Sequence, residues 1–280
     1  MLLRDRHVLL TGATGTIGSA LAAALAARGA RLSLVARGEP ALRALAHDTD
    51  GVAVPGDLTR ADAPASVLAA AESALGPVDV LVHNAGVEVL DELADVDPEA
   101  ARQAVLLNLV APLVLTRLAL PSMLRHGRGH VVAVSSLAGV ATFPGLAVYG
   151  ASKAGLTHAM AGLRAELRGT PVRTTTAELG PVDSPMMDRI GTHPPTAAAF
   201  GRALRLHVLR TLDPAEAASA VVRAVERDRA HLRRPRRAAP LAAVAGAPRT
   251  LVRAVLTGIP TATATASAAR TVDDGQGLRR

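Results

Sequence analysis

A chain of 280 residues holds one tyrosine and one lysine, and they stand four apart in YGASK, at Tyr149 and Lys153. The thirty other basic residues are all arginine, and with two phenylalanines and no tryptophan the chain nearly lacks aromatic side chains. On a helix, residues four apart share a face. A free phenol, with a pKa of about 10, is a poor proton donor or acceptor at neutral pH. A cation beside it favours the phenolate and lowers that pKa, so the pair suggests proton-transfer chemistry. An always-protonated guanidinium is no substitute for lysine in such a role.

A second group of residues has the types and spacing for phosphate. HVLLT (7–11) reads as a strand and runs into TGATGTIGSA, where Gly12, Gly15 and Gly18 open a helix. In that context the glycines serve a tight turn, close backbone approach to a pyrophosphate, and close packing of helix on strand. The helix N-terminus adds free N–H groups and a positive dipole end. The next strand, RLSLVA (31–36), ends at Ala36, where a carboxylate would hold the ribose 2′-OH of NAD. Arg37 follows instead, suited to a 2′-phosphate, so NADP(H) is favoured over NAD(H).

The elements that must hold these groups alternate along the chain. After RLSLVA come a helix in PALRALAH, a strand at 52–57 and a helix at 61–75. A strand at 78–86 precedes a long apolar helix at about 99–125, and a strand at 130–136 precedes the helix carrying YGASK. A sixth strand at 172–181 and a helix at 213–228 complete the pattern. Short β-branched runs alternating with helices predict an α/β fold: a Rossmann-like, doubly wound parallel β-sheet with helices on both faces, in a single domain. That domain is expected to span 1–235. Residues 236–280 read as a basic C-terminal extension, with an apolar helix at about 240–259 and then a polar tail expected to be disordered.

Composition narrows the function classes. Half the residues are apolar, which excludes a disordered protein. With no cysteine there is no disulfide or thiolate metal site, and no cluster of His, Asp or Glu has metal-ligand spacing. The strand-like start leaves no room for a signal peptide, and no run of ~18 uncharged apolar residues marks a spanning helix, so a cytoplasmic protein is expected. The net charge of +7 is uneven: residues 1–201 carry 16 basic and 18 acidic side chains, residues 202–280 carry 15 and 6. The excess gathers in RAHLRRPRR (229–237) and the tail, read as a solvated basic surface or a site for an anionic partner. Without an aromatic platform for stacked bases, nucleic acid is the weakest such partner. The stretch 240–260, with Arg249 and Arg253 one turn apart, is expected to pack as an interface helix in preference to a peripheral membrane contact.

Taken in order, TGATGTIG, Asp57 after the third strand, HNAG (83–86), Asn108 in NLVAP, Ser136 in VSSLAG, YGASK and GPVDSP (180–185) resemble the short-chain dehydrogenase/reductase family, in its shorter single-domain branch with a YxxxK site. The likeness covers roughly residues 5–230. It implies an NADP-dependent oxidoreductase interconverting a secondary alcohol and its ketone, with Tyr149 as general acid or base. Lys153 would tune the phenol and bind the nicotinamide ribose, Ser136, thirteen residues before the tyrosine, would hold the carbonyl, and Asn108 would anchor a proton-relay water. Gly12, Thr14, Gly15, Thr16, Ile17, Gly18 and Arg37 would meet the cofactor's phosphates, Asp57 and Leu58 its adenine, Asn84, Ala85 and Gly86 its adenosine side, and Pro181 and Val182 its nicotinamide. The middle glycine stands one position earlier than is usual for the short branch, with Thr16 in its place, and His83 replaces the first Asn of NNAG; His83 is not expected to be catalytic. The substrate loop, 184–210, carries Met186, Met187, Ile190, Phe200, Leu204 and Leu206, which suggests a lipophilic substrate. Family members are commonly dimers or tetramers, so a homodimer or homotetramer is expected. Two other readings stay open: a non-catalytic NADP-binding sensor or scaffold, and an extended-branch epimerase or dehydratase, the latter disfavoured by the short C-terminal remainder.

Overall fold

The computed structural model describes residues 1–235. Its strands are β1 (His7–Thr11), β2 (Arg31–Ala36), β3 (Val52–Pro55), β4 (Val80–His83), β5 (Gly129–Ser136), β6 (Val172–Leu179) and β7 (His231–Arg234). They form one parallel sheet in the order β3-β2-β1-β4-β5-β6-β7. The strand order reverses between β1 and β4, and a doubly wound sheet binds ligands in the crevice at the carboxyl ends beside such a reversal.

Strand period two sorts the core. Val8 and Leu10 of β1, with Leu32, Leu34, Val80 and Val82, pack under helices α1 (Thr16–Ala26), α2 (Glu39–Asp48) and, later in the chain, Pro214–Glu226. Leu9, Leu81, Val131 and Ala133 face the other way, onto α3 (Ala63–Leu75), the stretch Ala111–Arg125 and the helix carrying YGASK, Ala147–Glu166. Both faces are covered, which is why the strands read as continuous apolar runs.

The long apolar stretch expected at about 99–125 is α4 (Pro98–Val105), a π-helical turn at Leu106–Val110, and α5 (Ala111–Arg125), followed in the chain by α6 (Ala147–Glu166). Asp97 caps α4, its carboxylate accepting from the Glu99 and Ala100 N–H groups, and Pro98 takes the first turn, where no N–H is needed. By length and composition alone, with charged residues allowed, Pro98–Arg125 is long and apolar enough to cross a membrane, with mean hydropathy 1.8, although it holds no uncharged run of ~18 residues. Its apolar content has a place in the domain: Ala111, Leu115, Ala119 and Met123 lie on the sheet, fully buried.

The structure corrects the reading of RAHLRRPRR. Residues 231–234 are a seventh strand, the sheet edge, with Leu232 buried against Ala177 and Arg233 bonded to the buried carboxylate of Glu178. A lone inward leucine gives almost no strand signal, and arginines on an exposed edge discourage pairing with another chain. The substrate loop is also more regular than a loop: it contains α7 (Pro185–Thr192) and α8 (Pro194–Arg205), after which α9 (Pro214–Glu226) returns to the sheet. The expected extension at 236–280 lies outside the described residues.

Candidate active site

The carboxyl ends of the strands open into a cleft of about 430 Å³. At one end lies the glycine turn. Gly12 has a positive φ of 65°, and a Cβ there would stand 2.6 Å from the Ala85 Cα. A Cβ on Gly18 would stand 2.0 Å from the Gly12 carbonyl oxygen, so α1 rests directly on the turn. Gly15, the residue out of place for the short branch, is different: it is exposed at the mouth, and a Cβ would touch only the Gly12 oxygen, at 3.5 Å. Among the described residues nothing crowds Gly15, and what would need its smallness is a ligand at the N-terminus of α1.

Every expected cofactor residue lines this cleft: Gly12, Thr14, Gly15, Thr16, Ile17, Gly18, Arg37, Asp57, Leu58, Asn84, Ala85, Gly86, Pro181 and Val182, with Tyr149 and Lys153. Asn84 has a second duty, its Nδ2 donating to the carbonyls of Thr11 and Gly12 at 3.1 and 3.0 Å, which fastens the end of β4 to the glycine turn. Asp57 accepts from the Thr59 N–H and hydroxyl, and these bonds, then Arg37 and Arg60, hold its carboxyl below the usual range. No ion pair among the described residues engages Arg37.

Ser136, Tyr149 and Lys153 share the middle of the cleft. Ser136 ends β5 and accepts from the Ala138 N–H at 3.1 Å. Its neighbour Ser135 is committed elsewhere: its hydroxyl donates to the Lys153 carbonyl at 3.2 Å and meets Thr157 Oγ1 at 2.8 Å, tying α6 to β5. Lys153 is buried, its Nζ donating to the Val134 carbonyl at 3.0 Å and standing 5.9 Å from the centre of the Tyr149 ring. Burial pulls the lysine down to about 8.

The expectation of a lowered phenol pKa is overturned for the chain alone. Burial pushes Tyr149 up to about 12, a hydrogen bond from Ser136 opposes this, and the charge of Glu88 adds to it. The ammonium has its own bond to Val134, and what burial does to the phenol outweighs the Ser136 hydrogen bond.

Asn108 does not line the cleft. It sits fully buried in the π turn, where its Nδ2 donates to the Val87 carbonyl at 2.8 Å and to Ser152 Oγ at 3.0 Å, and its Oδ1 accepts from the Val87 N–H at 2.9 Å. Ser152 in turn donates to the Tyr149 carbonyl at 2.7 Å, so Asn108 connects the strand-end loop to the helix of the reactive pair. A π turn widens a helix locally and turns a side chain inward. A Cβ on Gly86 would lie 3.1 Å from Asn108 Oδ1 and 3.2 Å from Lys153 Nζ, so Asn108 backs the lysine closely. His83 is buried, is bonded to Thr116 Oγ1 at 2.7 Å and is pushed down to about 3 by burial and by Lys153; it is not part of the cleft wall.

The other end of the cleft is apolar. Phe143, from the loop after β5, stacks on Phe200 of α8 with centroids 4.5 Å apart, beside Leu137, Leu146, Ile190 and Leu209. All three aromatic residues of the chain therefore meet at this site. Phe143 was missed in the sequence, as was Glu88, whose carboxylate receives Arg189 of α7. Scarcity of aromatics could have flagged the phenylalanine; nothing local marks the glutamate.

A doubly wound sheet, a glycine turn after its first strand and a cleft across the strand ends define a dinucleotide-binding α/β protein. Comparison with known proteins takes the assignment further: the model of the short chain dehydrogenases matches residues 6–195, and the chain belongs to that family. It is 36% identical over 192 residues to a short chain dehydrogenase of Pseudocercospora fijiensis, a match covering 65% of this chain and 61% of the relative. The matched part thus spans only about three fifths of that relative's length. Among solved structures, a short chain dehydrogenase/reductase from Burkholderia phymatum in complex with NAD superposes with a TM-score of 0.78 at 20% identity, covering 93% of this chain and 98% of that one. A metagenomic short-chain oxidoreductase in complex with NADP gives 0.67 at 30% identity, over 83% and 96%.

Proposed function

We propose that the chain is an NADP-dependent oxidoreductase interconverting a secondary alcohol and its ketone, on a lipophilic substrate. The observation that carries the reading is the meeting of Ser136, Tyr149 and Lys153 in one cleft between a glycine turn and an apolar chamber. The glycine turn fits a dinucleotide, because Gly15 leaves open space at a helix N-terminus that no side chain among the described residues fills. Thr14, Thr16 and Ile17 would frame the pyrophosphate, and Asp57 and Leu58 the adenine. A bound nicotinamide cofactor would supply the hydride and, when oxidised, a positive charge. Ser136 holds the carbonyl oxygen by donating its hydroxyl proton as a hydrogen bond. Tyr149 gives its proton to that oxygen in reduction and takes it back in oxidation. Lys153 stabilises the phenolate left behind, and Asn108 fixes the loop and helix that aim the lysine. The case for NADP is Arg37, which makes no ion pair among the described residues, with Ala36 where NAD would need an acid; the NADP complex of the 30% identical structure is in line with it. The lipophilic substrate is supported by the Phe143–Phe200 wall and its aliphatic surround.

The test is NADPH consumption, with NADH in parallel, over aliphatic, aromatic and steroid-like ketones. Tyr149→Phe should lose about a thousandfold in kcat while still binding NADPH. Equal turnover by wild type and Tyr149→Phe would defeat the mechanism. The reading extends to a homodimer or homotetramer, since α5 exposes Leu113, Val114 and Leu124; a monomer in light scattering would remove that part.

A further inference from the structure

The stretch TFPGLA (142–147) brings Phe143 to the cleft and runs into α6, the helix of Tyr149. Phe143 to Leu146 form a tight turn, in which the Leu146 N–H donates to the Phe143 carbonyl at 3.2 Å. Pro144 takes the second position and Gly145, with φ 75°, the third, the residue pattern of a type II turn. Both ends of the turn, Phe143 and Leu146, line the cleft, and its middle is held by α8.

Thr196, in the first turn of α8, is fully buried. A helical threonine ordinarily returns its hydroxyl to a carbonyl three or four residues back, as Thr192 of α7 does with Arg189 at 2.7 Å. Thr196 instead donates to the Pro144 carbonyl, 52 residues away in the chain, at 2.7 Å. With its proton committed there, its oxygen accepts from His193 Nδ1, also at 2.7 Å. A Cβ on Gly145 would stand 2.5 Å from the Thr196 oxygen and 2.8 Å from His193 Nδ1, so the turn comes this close only with glycine. The Asp91 N–H, on the loop after β4, donates to the Gly145 carbonyl at 3.0 Å and ties the turn to that loop as well.

Thr196 and Phe200 are four apart and share a face of α8, while Pro144 and Phe143 are adjacent on the turn. Two contacts therefore join the same two segments: the Thr196–Pro144 hydrogen bond and the Phe200–Phe143 stack, with centroids 4.5 Å apart. The stack tolerates offset, whereas a short hydrogen bond is directional and costly to leave unmade when its hydroxyl is buried. The hydrogen bond is thus the contact that fixes the register of the two segments.

We propose that Thr196 is a positioning residue for substrate selectivity: by pinning α8 to the Pro144 carbonyl it sets how Phe200 meets Phe143, and so fixes the apolar wall against which a long ketone lies. The inference rests on the reading of the chamber, with α7 and α8 as its lid, as the ketone site. Thr196 does not line the cleft and acts only through the two phenylalanines.

Phe143 and Phe200 are the only phenylalanines in the chain. Nuclear magnetic resonance of the full chain with ring-labelled phenylalanine therefore shows two rings and the contact between them, without any need for turnover. Wild type should give a ring-to-ring cross-peak, and added decanone should shift both rings. Thr196→Val, nearly the same shape without the hydroxyl, should lose most of the cross-peak and weaken decanone binding, read from those shifts, about fivefold. In turnover the KM for decanone should rise about fivefold with kcat changed by less than about twofold, and acetone should be affected less. Thr196→Ser should restore every readout. Gly145→Ala, which crowds the same hydroxyl from the side of the turn, should act as Thr196→Val does. Thr192→Val, which removes an exposed hydrogen bond within α7, should change nothing. An intact cross-peak in both Thr196→Val and Gly145→Ala would overturn the proposal, as would wild-type rings that decanone does not shift. Equal losses for decanone and acetone would overturn it too, by making Thr196 a support of the whole domain. The two readings fail separately: decanone bound on the wall but not reduced removes the oxidoreductase and leaves the selectivity, and unmoved cross-peaks in an active enzyme do the reverse.

Discussion

Between Gly12 and Gly18 the wall of the cleft is backbone packed on backbone, whereas between Pro185 and Arg205 it is side chains hung from two surface helices. In the first region an added methyl group at Gly12 or Gly18 would meet main-chain atoms below 3 Å. In the second, Gly191 and Gly201 have nothing within 4 Å, and the contacts that matter are an aromatic stack and an ion pair. At Gly12 and Gly18 the first half has no room for one more atom; the other half is held by a few replaceable contacts.

The strongest way to break the comparison is Gly18→Ala. Its Cβ would overlap the Gly12 carbonyl at 2.0 Å and crowd the Ala13 carbonyl at 2.8 Å, so α1 must leave the turn. We expect a loss of about 3 kcal/mol in urea unfolding together with loss of NADPH binding. Unchanged stability would show the turn to be as adjustable as the lid.

Lys153 stands at the seam of the two halves and gives a pH signature. Its pKa is pulled from 10.5 to about 8 by burial, so the unfolded chain binds more protons than the folded one between those values. Stability from this group therefore rises as pH climbs from 8 to 10.5, and the cost of burying the charge is present in full below 8. Lys153→Met, which removes that cost, should unfold at higher urea than wild type at neutral pH, with the gap narrowing as pH climbs through that window. A gap that does not depend on pH would mean that packing, and not charge, sets the difference.

Smaller and more selective is a pair of substitutions. Gly15→Ala meets only the Gly12 oxygen at 3.5 Å, so the fold should not notice it, while NADPH binding should weaken about tenfold, near 1.4 kcal/mol. Phe200→Leu should do the opposite: the KM of a lipophilic ketone rises about fivefold, the loss of one aromatic pair, and NADPH affinity stays put. Parallel effects on cofactor and ketone in either variant would deny that the halves are separable.

The two halves also differed in how legible they were. The glycine turn, the strands from β1 to β6 and the Tyr149–Lys153 face could all be read because each is set by neighbours a few residues apart. Strand β7 was not, since one apolar residue among arginines carries no period. The buried state of the phenol was not, because desolvation depends on what folds over it: Ile190 and Phe200, in the same apolar cluster, come from α7 and α8. The Glu88–Arg189 pair joins residues 101 apart, and no local pattern marks either. Asn108 was found by resemblance, but its π turn and its place behind the cleft wall came only with coordinates.

The smallest expected effect has the opposite sign. Gly201 lies inside α8 with open space around it, in helical backbone that any residue can adopt. Alanine there removes freedom from the unfolded chain and meets no neighbour, so Gly201→Ala should stabilise α8 by about 0.8 kcal/mol. If the lid can come loose without unfolding the sheet, the gain will appear as slower amide exchange confined to α8, with the global urea midpoint unmoved. If the midpoint moves by the full amount, the lid folds as one unit with the glycine turn, and the separation between the two halves is one of local sterics and not of cooperativity.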